Sequence, residues 1–252
     1  MELKISVLSK PGGRAVNEDA YGFWAGPDCW FCALSDGVGG HAGGDVASKL
    51  VVQQIMAWFY RQPDASGDNI AAALRAANAA LVAEQRRCPE LADMRATILV
   101  LALDTRRATA IWGHIGDTRL YCFRGKAILS QTRDHSVVQS MVDAGYLAPG
   151  DVRSSPNRNA LLAALGDARQ FDPRIEAAPL PLRDGDLFLL CTDGFWEYVE
   201  EADMEQGLQV AQAPEAWLQR LEQMVVQRGR PGQDNYSALV VACSDPCVTQ
   251  RM

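Results

Sequence analysis

The sequence predicts an α+β layered sandwich. Short apolar runs bounded by Gly, Asp and Asn recur along the chain, as buried strands do. Between residues 44 and 81 the apolar spacing shifts to the period of helices. The order is strands, two helices, a strand meander, then helix and strand, which is not a βαβ alternation.

Each element has its own warrant. A first strand is expected over 5–8, closed by the turn Pro11-Gly12-Gly13, and a second over 30–34, leading into a glycine-rich stretch. Ala47, Leu50, Val51, Ile55, Trp58 and Phe59 recur at helical spacing and predict a helix over 44–61. Ile70, Ala73, Leu74, Ala77 and Leu81 mark another, with Asp68 as its N-cap after the turn 63–67. Residues 97–103, 109–115 and 120–123 read as strands whose short links favour antiparallel neighbours. Residues 136–144 read as helical. Gly, Pro, Ser, Asn and Arg crowd 145–160, which reads as a mobile loop beside a site. A strand over 187–191, a helix over 214–228 with Trp217, Leu218, Leu221, Met224 and Val225 on one face, and a strand over 237–242 complete the pattern.

The totals bound the function. The chain has 252 residues, 48% hydrophobic and 22% charged, with no linker-like shift in composition, so one domain over 1–252 is expected. Its net charge of −7 argues against nucleic acid or an anionic membrane surface as the main partner. No apolar stretch approaches the roughly 20 residues of a membrane helix, and the first residues lack a signal-peptide core. Cys32, Cys122 and Cys191 lie inside apolar runs, so a reducing cytoplasm is the expected setting. Cys29 and Cys32 form a C-x-x-C, but three residues along a strand they point to opposite faces. Cys243 and Cys247 are also close in sequence, yet zinc or redox chemistry is not the expected role of these thiols.

Four aspartates carry the chemical signal. Asp36, Asp117 and Asp193 each follow an apolar run, and Asp234 precedes one, so all four belong at strand ends. If those ends share one rim, the carboxylates meet. At about 4 Å and an effective dielectric of about 20, each like-charged pair costs roughly 4 kcal/mol. Protons, water or cations must offset that repulsion. Oxygen-only ligands select a hard cation, Mg²⁺ or Mn²⁺, over zinc. Arg14-Ala15-Val16-Asn17-Glu18-Asp19 adds a guanidinium suited to phosphate oxygens, and two carboxylates suited to metal-bound water.

Competing motifs are weaker. Gly37-Val38-Gly39-Gly40-His41-Ala42 fits a dinucleotide fingerprint, but the acidic residue expected about 20 positions on is missing. The preferred use of that turn is to present the Gly37 carbonyl to a metal. His114 reads as a satisfied core histidine, His135 as a cap or supporting group, and His41 as a group near the site able to handle protons. The chain has no Cys-x₅-Arg, no P-loop and no G-x-S-x-G elbow.

Taken together, the motifs resemble those of the metal-dependent serine/threonine protein phosphatases of type 2C, the PPM family. The opening R-x-x-N-E-D lies at 14–19, D-G-x-G-G-H at 36–41, G-D-[ST]-R at 116–119, D-H-S at 134–136, T-D-G at 192–194 and D-N-x-S at 234–237. The resemblance implies a four-layer αββα sandwich, two central antiparallel β-sheets flanked by helix pairs, with 145–160 as a variable flap. It implies that Asp36 bridges two Mg²⁺ or Mn²⁺ ions, that the Gly37 carbonyl joins one, and that Asp193 and Asp234 complete the other. Glu18 and Asp19 would act through metal-bound waters, Asp117 would hold a third ion with Asp193, and Arg14 would grip the substrate phosphate. The implied activity is hydrolysis of phosphoserine and phosphothreonine on proteins by a water bridging the two ions, opposing a serine/threonine kinase. A catalytically inactive, phosphoprotein-binding relative is the alternative. Two departures stand out: Val38 occupies a position where some members carry a histidine, and 161–166 read LLAALG where many bacterial members have Thr-Arg before Ala-Leu-Gly.

Overall fold

The apolar runs become strands buried on both faces. The structure, a computed structural model, describes residues 1–38, 43–167 and 171–244. β1 (Glu2–Lys10), β2 (Ala20–Ala25), β3 (Cys29–Ser35) and the short β4 (Gly37–Val38) precede helices α1 (Gly44–Arg61) and α2 (Gly67–Arg87). Next come β5 (Arg95–Ala96), β6 (Ile98–Asp104), β7 (Thr109–Ile115), β8 (Arg119–Arg124) and β9 (Ala127–Gln131). α3 (Val137–Asp143), β10 (Arg174–Ile175), β11 (Leu180–Pro181), β12 (Leu187–Cys191), α4 (Asp193–Trp196), α5 (Glu201–Val210), α6 (Pro214–Arg228) and β13 (Tyr236–Ser244) follow.

Two antiparallel sheets result. One has the order β1-β13-β12-β8-β9; the other runs β10-β7-β6-β3-β2, with β11 also pairing β7. Alternate residues of each strand face different layers. On β6, Ile98, Val100 and Ala102 meet α1 and α2, while Leu99, Leu101 and Leu103 enter the space between the sheets. On β12, Leu187, Leu189 and Cys191 pack toward α5 and α6, and Phe188 and Leu190 face the other sheet. The layering is therefore helix pair, sheet, sheet, helix pair, as expected. Phe31 of β3 stacks on Phe59 of α1 with ring centroids 4.0 Å apart, fixing one helix on its sheet. Cys29 and Cys32 do face opposite layers.

Three expectations need correction. The N-cap of α2 is Ser66, not Asp68; the Ser66 hydroxyl accepts from the Asn69 amide at 3.3 Å. The link 116–118 does not join neighbours: β7 lies in one sheet and β8 in the other. Gly116 allows the crossing with φ +103, and a Cβ there would lie 2.6 Å from the Thr97 side chain. Helix α5 and strands β2 and β9 carry too little apolar periodicity to be read. On β2 the outward Tyr21 and Phe23 are exposed while the half-buried positions include Gly22. The stretch 145–160 lacks long regular elements, as read, but it is anchored. Arg153 donates to the carbonyls of Trp196 and Val199 at 2.9 and 3.2 Å and pairs with Glu201 at 2.9 Å. Among the described residues no helix is long and apolar enough to cross a membrane.

Candidate metal centre

The strand ends of both sheets deliver carboxylates to one rim. Asp36 follows β3, Asp117 lies between β7 and β8, Asp193 opens α4 after β12, and Asp234 precedes β13. Asp36 is pushed well above the usual carboxylate range, by burial first and then by Asp19, Asp193, Asp117 and Asp234. The other three strand-end aspartates and Asp19 therefore all act on Asp36.

Backbone crowding explains the two Asp-Gly pairs. A Cβ on Gly37 would lie 2.2 Å from the Gly44 carbonyl oxygen, and one on Gly194 2.1 Å from that of Asn235. Only glycine lets the α1 start and the β13 entry approach the two aspartates this closely. The Asp36 amide donates to Thr97 Oγ1 at 3.0 Å, and its carbonyl accepts from the Thr97 amide at 2.8 Å, so β3 leaves its sheet in a fixed direction.

Hydroxyls orient the acids. Thr192 Oγ1 donates to Asp19 Oδ2 at 3.0 Å and accepts from the Ser237 amide at 3.0 Å. Burial outweighs the lowering effect of Ser237 and Thr192, and pushes Asp19 up to about 7. Burial, then Glu197, Asp234 and Asp19, push Asp193 up to about 7 as well. Glu18 is raised by burial and by Asp45 and Asp234, against the pull of Arg14. Asn235 ties the first loop to β13: its Oδ1 accepts from the Glu18 amide at 2.8 Å, and its Nδ2 donates to the Pro11 and Val16 carbonyls at 2.9 Å.

The geometry groups most predicted residues and leaves one pair turned together. Arg14 Nη2 donates to Asp234 Oδ2 at 3.1 Å, and Asp234 Oδ1 accepts from the Asn235 amide at 2.9 Å. Among the described residues no group of three or more His, Cys, Asp or Glu side chains is placed to hold a metal ion. Asp234 is engaged with Arg14. Yet Asp19 Oδ1 and Asp193 Oδ1 are buried with no hydrogen-bond partner among the described residues. Two orphaned carboxylate oxygens in an oxygen-only donor set fit hard cations whose remaining positions are filled by water.

Most of the chain carries a family signature. Residues 12–236 match a family model described as "Protein phosphatase 2C". The chain belongs to the protein phosphatase 2C family. It is 33% identical over 235 residues to the serine/threonine protein phosphatase PstP of Mycobacterium tuberculosis, covering 92% of this chain and 43% of that protein. It thus spans less than half the length of that relative. It is 30% identical over 201 residues to the serine/threonine phosphatase stp of Listeria monocytogenes, 77% of this chain and 78% of that one. The crystal structure of the PstP catalytic domain in complex with two manganese ions superposes with a TM-score of 0.81 at 30% identity, over 96% of this chain and 99% of that one.

Within this family member, sequence reasoning overlooked several supporting groups. Trp196 Nε1 donates to the Asp117 carbonyl at 3.0 Å, and the Arg119 guanidinium stacks 3.6 Å from the centre of the Trp196 ring. Arg119 is buried and bonded to both carboxylate oxygens of Asp134, at 3.0 Å from Nε and 2.8 Å from Nη2. The signal for Thr192, Ser237, Arg119 and Asp134 was present, since all lie inside the quoted motifs. Nothing in the sequence marked Trp196. His114 is a satisfied core histidine, its Nε2 2.9 Å from the Arg133 carbonyl. His135 supports the crossing: its Nδ1 accepts from the Gly116 amide at 3.1 Å. His41, most of the glycine-rich turn and Cys247 lie outside the described residues.

Proposed function

We propose that this chain hydrolyses phosphoserine and phosphothreonine on proteins with two Mg²⁺ or Mn²⁺ ions, and that it opposes a serine/threonine kinase in the cytoplasm. The observation that carries this reading is the meeting of Asp36, Asp19 and Asp193 with buried carboxylate oxygens left unpaired. The names of the relatives and the two manganese ions of PstP support it.

The residues divide the work. Asp36, the Gly37 carbonyl, Asp193 and Asp234 would hold the two ions. Asp117, with Asp193, would hold a third ion. Glu18 and Asp19 would accept hydrogen bonds from water at the ions. Two such ions would supply a water nucleophile at neutral pH and would offset the charge that develops on phosphorus. Arg14 holds the phosphate oxygens in line, exchanging Asp234 for substrate. With Val38 behind the first Asp-Gly, no histidine side chain at that position delivers a proton to the leaving alkoxide, so water or another group supplies it.

Turnover of an aryl phosphate and of phosphothreonine peptides, measured with Mn²⁺ and with excess chelator, tests the reading. Full activity in chelator would end it. Mn²⁺ binding by calorimetry without turnover would favour the inactive, phosphoprotein-binding alternative.

A further inference from the structure

We propose that a pocket between the 149–158 segment and the turn after α4 binds a second phosphate of the same substrate protein. This inference rests on the hydrolytic reading above. The cavity measures about 440 Å³ and is lined by Arg153, Arg158, Arg228 and Arg230, with Glu197 and Glu200. Glu197 and Glu200 in the lining, with Glu201 and Asp203 beside it, balance the four guanidinium groups, and three of the four are already ion-paired, so the cation open to a ligand is Arg230.

Three of the arginines are fixed in place. Arg153 pairs with Glu201 at 2.9 Å, Arg158 Nε with Glu197 at 2.5 Å, and Arg228 with Asp203 at 2.5 Å. Arg153 and Arg228 also donate to the backbone carbonyls of Trp196 and Tyr198, at 2.9 and 2.8 Å. Their forks are therefore preorganised by side chains and carbonyls alike. Arg230 differs: it is exposed, makes no ion pair among the described residues, and its charge is felt at the Tyr198 hydroxyl. A cation on the rim with no carboxylate of its own is suited to an incoming anion.

The pocket also borders the reaction centre. The Glu197 amide donates to the Asp193 carbonyl at 2.9 Å, so the residue that pairs with Arg158 lies one helical turn from Asp193. The Arg230 carbonyl accepts from the Gln233 amide at 2.9 Å, so the loop carrying Arg230 leads directly into Asp234. A substrate whose reacting phosphate sits at Asp193 and Asp234 thus passes the arginines with its neighbouring residues. A phosphate carries about 1.5 to 2 negative charges and three acceptor oxygens, so it pairs with the open Arg230 fork more strongly than a single carboxylate does.

The test uses the full chain with Mn²⁺ and phosphothreonine peptides. Each peptide carries a non-hydrolysable phosphonate, an aspartate or an alanine at one of several offsets on either side. The phosphonate peptide should exceed its alanine partner about tenfold in kcat/KM at a preferred offset, mainly through KM, the size of one charge-assisted hydrogen bond. Arg230→Gln should bring that ratio close to one, and Arg230→Glu below the Arg230→Gln value. Equal rates for phosphonate and alanine at every offset, or a gain that survives both substitutions, would overturn the proposal. An equal gain from aspartate would overturn the assignment to phosphate. If neither singly phosphorylated peptides nor an aryl phosphate were hydrolysed at all, the hydrolytic reading would fail instead.

Discussion

Arg14 and Asp234, 220 positions apart in sequence, form a direct ion pair at 3.1 Å. One is the expected phosphate grip and the other an expected metal ligand. Both are substantially exposed, with side-chain exposures of 54% and 42%, so the pair contributes at most about 1 kcal/mol. A weak pair is easily exchanged. Arg14→Ala should release Asp234 and tighten Mn²⁺ binding by up to about fivefold. The same substitution should raise KM for phosphopeptides by about tenfold or more. Calorimetry and steady-state kinetics on one preparation check both signs.

Asp193 holds a buried oxygen without a partner and a carboxyl pushed up to about 7. Asp193→Asn should reduce turnover by at least about a hundredfold. The metal-free variant should melt no lower than the parent, because an unfavourable buried carboxyl is gone. With Mn²⁺ at about a hundred times its dissociation constant, the parent should gain about 2.7 kcal/mol and the variant much less. Thermal melts with and without Mn²⁺ separate a lost ligand from a broken fold.

Gly194 has no room for a side chain, since a Cβ would stand 2.1 Å from the Asn235 carbonyl oxygen. Gly194→Ala should push the Asp193 turn and the β13 entry apart. The expected result is loss of about 2 kcal/mol or more of stability together with weakened Mn²⁺ binding. Denaturant melts and a metal titration give both values.

Trp196 links the Asp117 carbonyl to the Arg119 guanidinium. Trp196→Phe keeps a ring for stacking and removes only the indole N–H. It leaves a buried carbonyl short of a donor, at about 1–3 kcal/mol. Activity should fall most at low metal concentration and recover partly at high Mn²⁺, since Asp117 is displaced and not deleted. A metal-dependence curve of kcat checks this.

His135 is pushed down to about 4 by burial, then by His114 and Arg174. Its unfolded value is near 6.5, so the unfolded chain binds the proton first as pH falls. Stability from neutral His135 is complete above about pH 6.5 and is lost as pH falls toward about 4. Discounted for partial exposure, this amounts to about 1–2 kcal/mol. His135→Asn retains an acceptor for the Gly116 amide and should flatten the pH dependence over that window. Denaturant midpoints from pH 7 to 4 measure it.

The legible parts of the fold share a physical origin. Strands β3, β6, β7 and β12 are buried on both faces, so each appears as an unbroken apolar run. Helices α1, α2 and α6 bury one stripe each against a sheet, so each shows a regular period. α5 buries only Met204, Gly207 and Leu208, and β9 alternates with half-buried residues on the rim, so neither rises above the background. The N-cap slipped from Asp68 to Ser66 because either residue type serves, and the backbone trajectory chooses between them.

By itself, the sequence placed Asp36, Asp117, Asp193 and Asp234 at strand ends, since each flanks an apolar run whose burial requires a strand. It also determined the layered architecture, because hydrophobic period is a local property of the chain. Only the tertiary structure decided which strand joins which sheet, and so that Asp117 lies on the crossing from β7 to β8. It alone paired Arg14 with Asp234, set Trp196 beneath Asp117, and left Asp19 and Asp193 each with an unpaired oxygen. Those relations span separations in sequence of 79 to 220 residues, beyond the reach of any local pattern, and arise only when close packing brings the strand ends to a common rim.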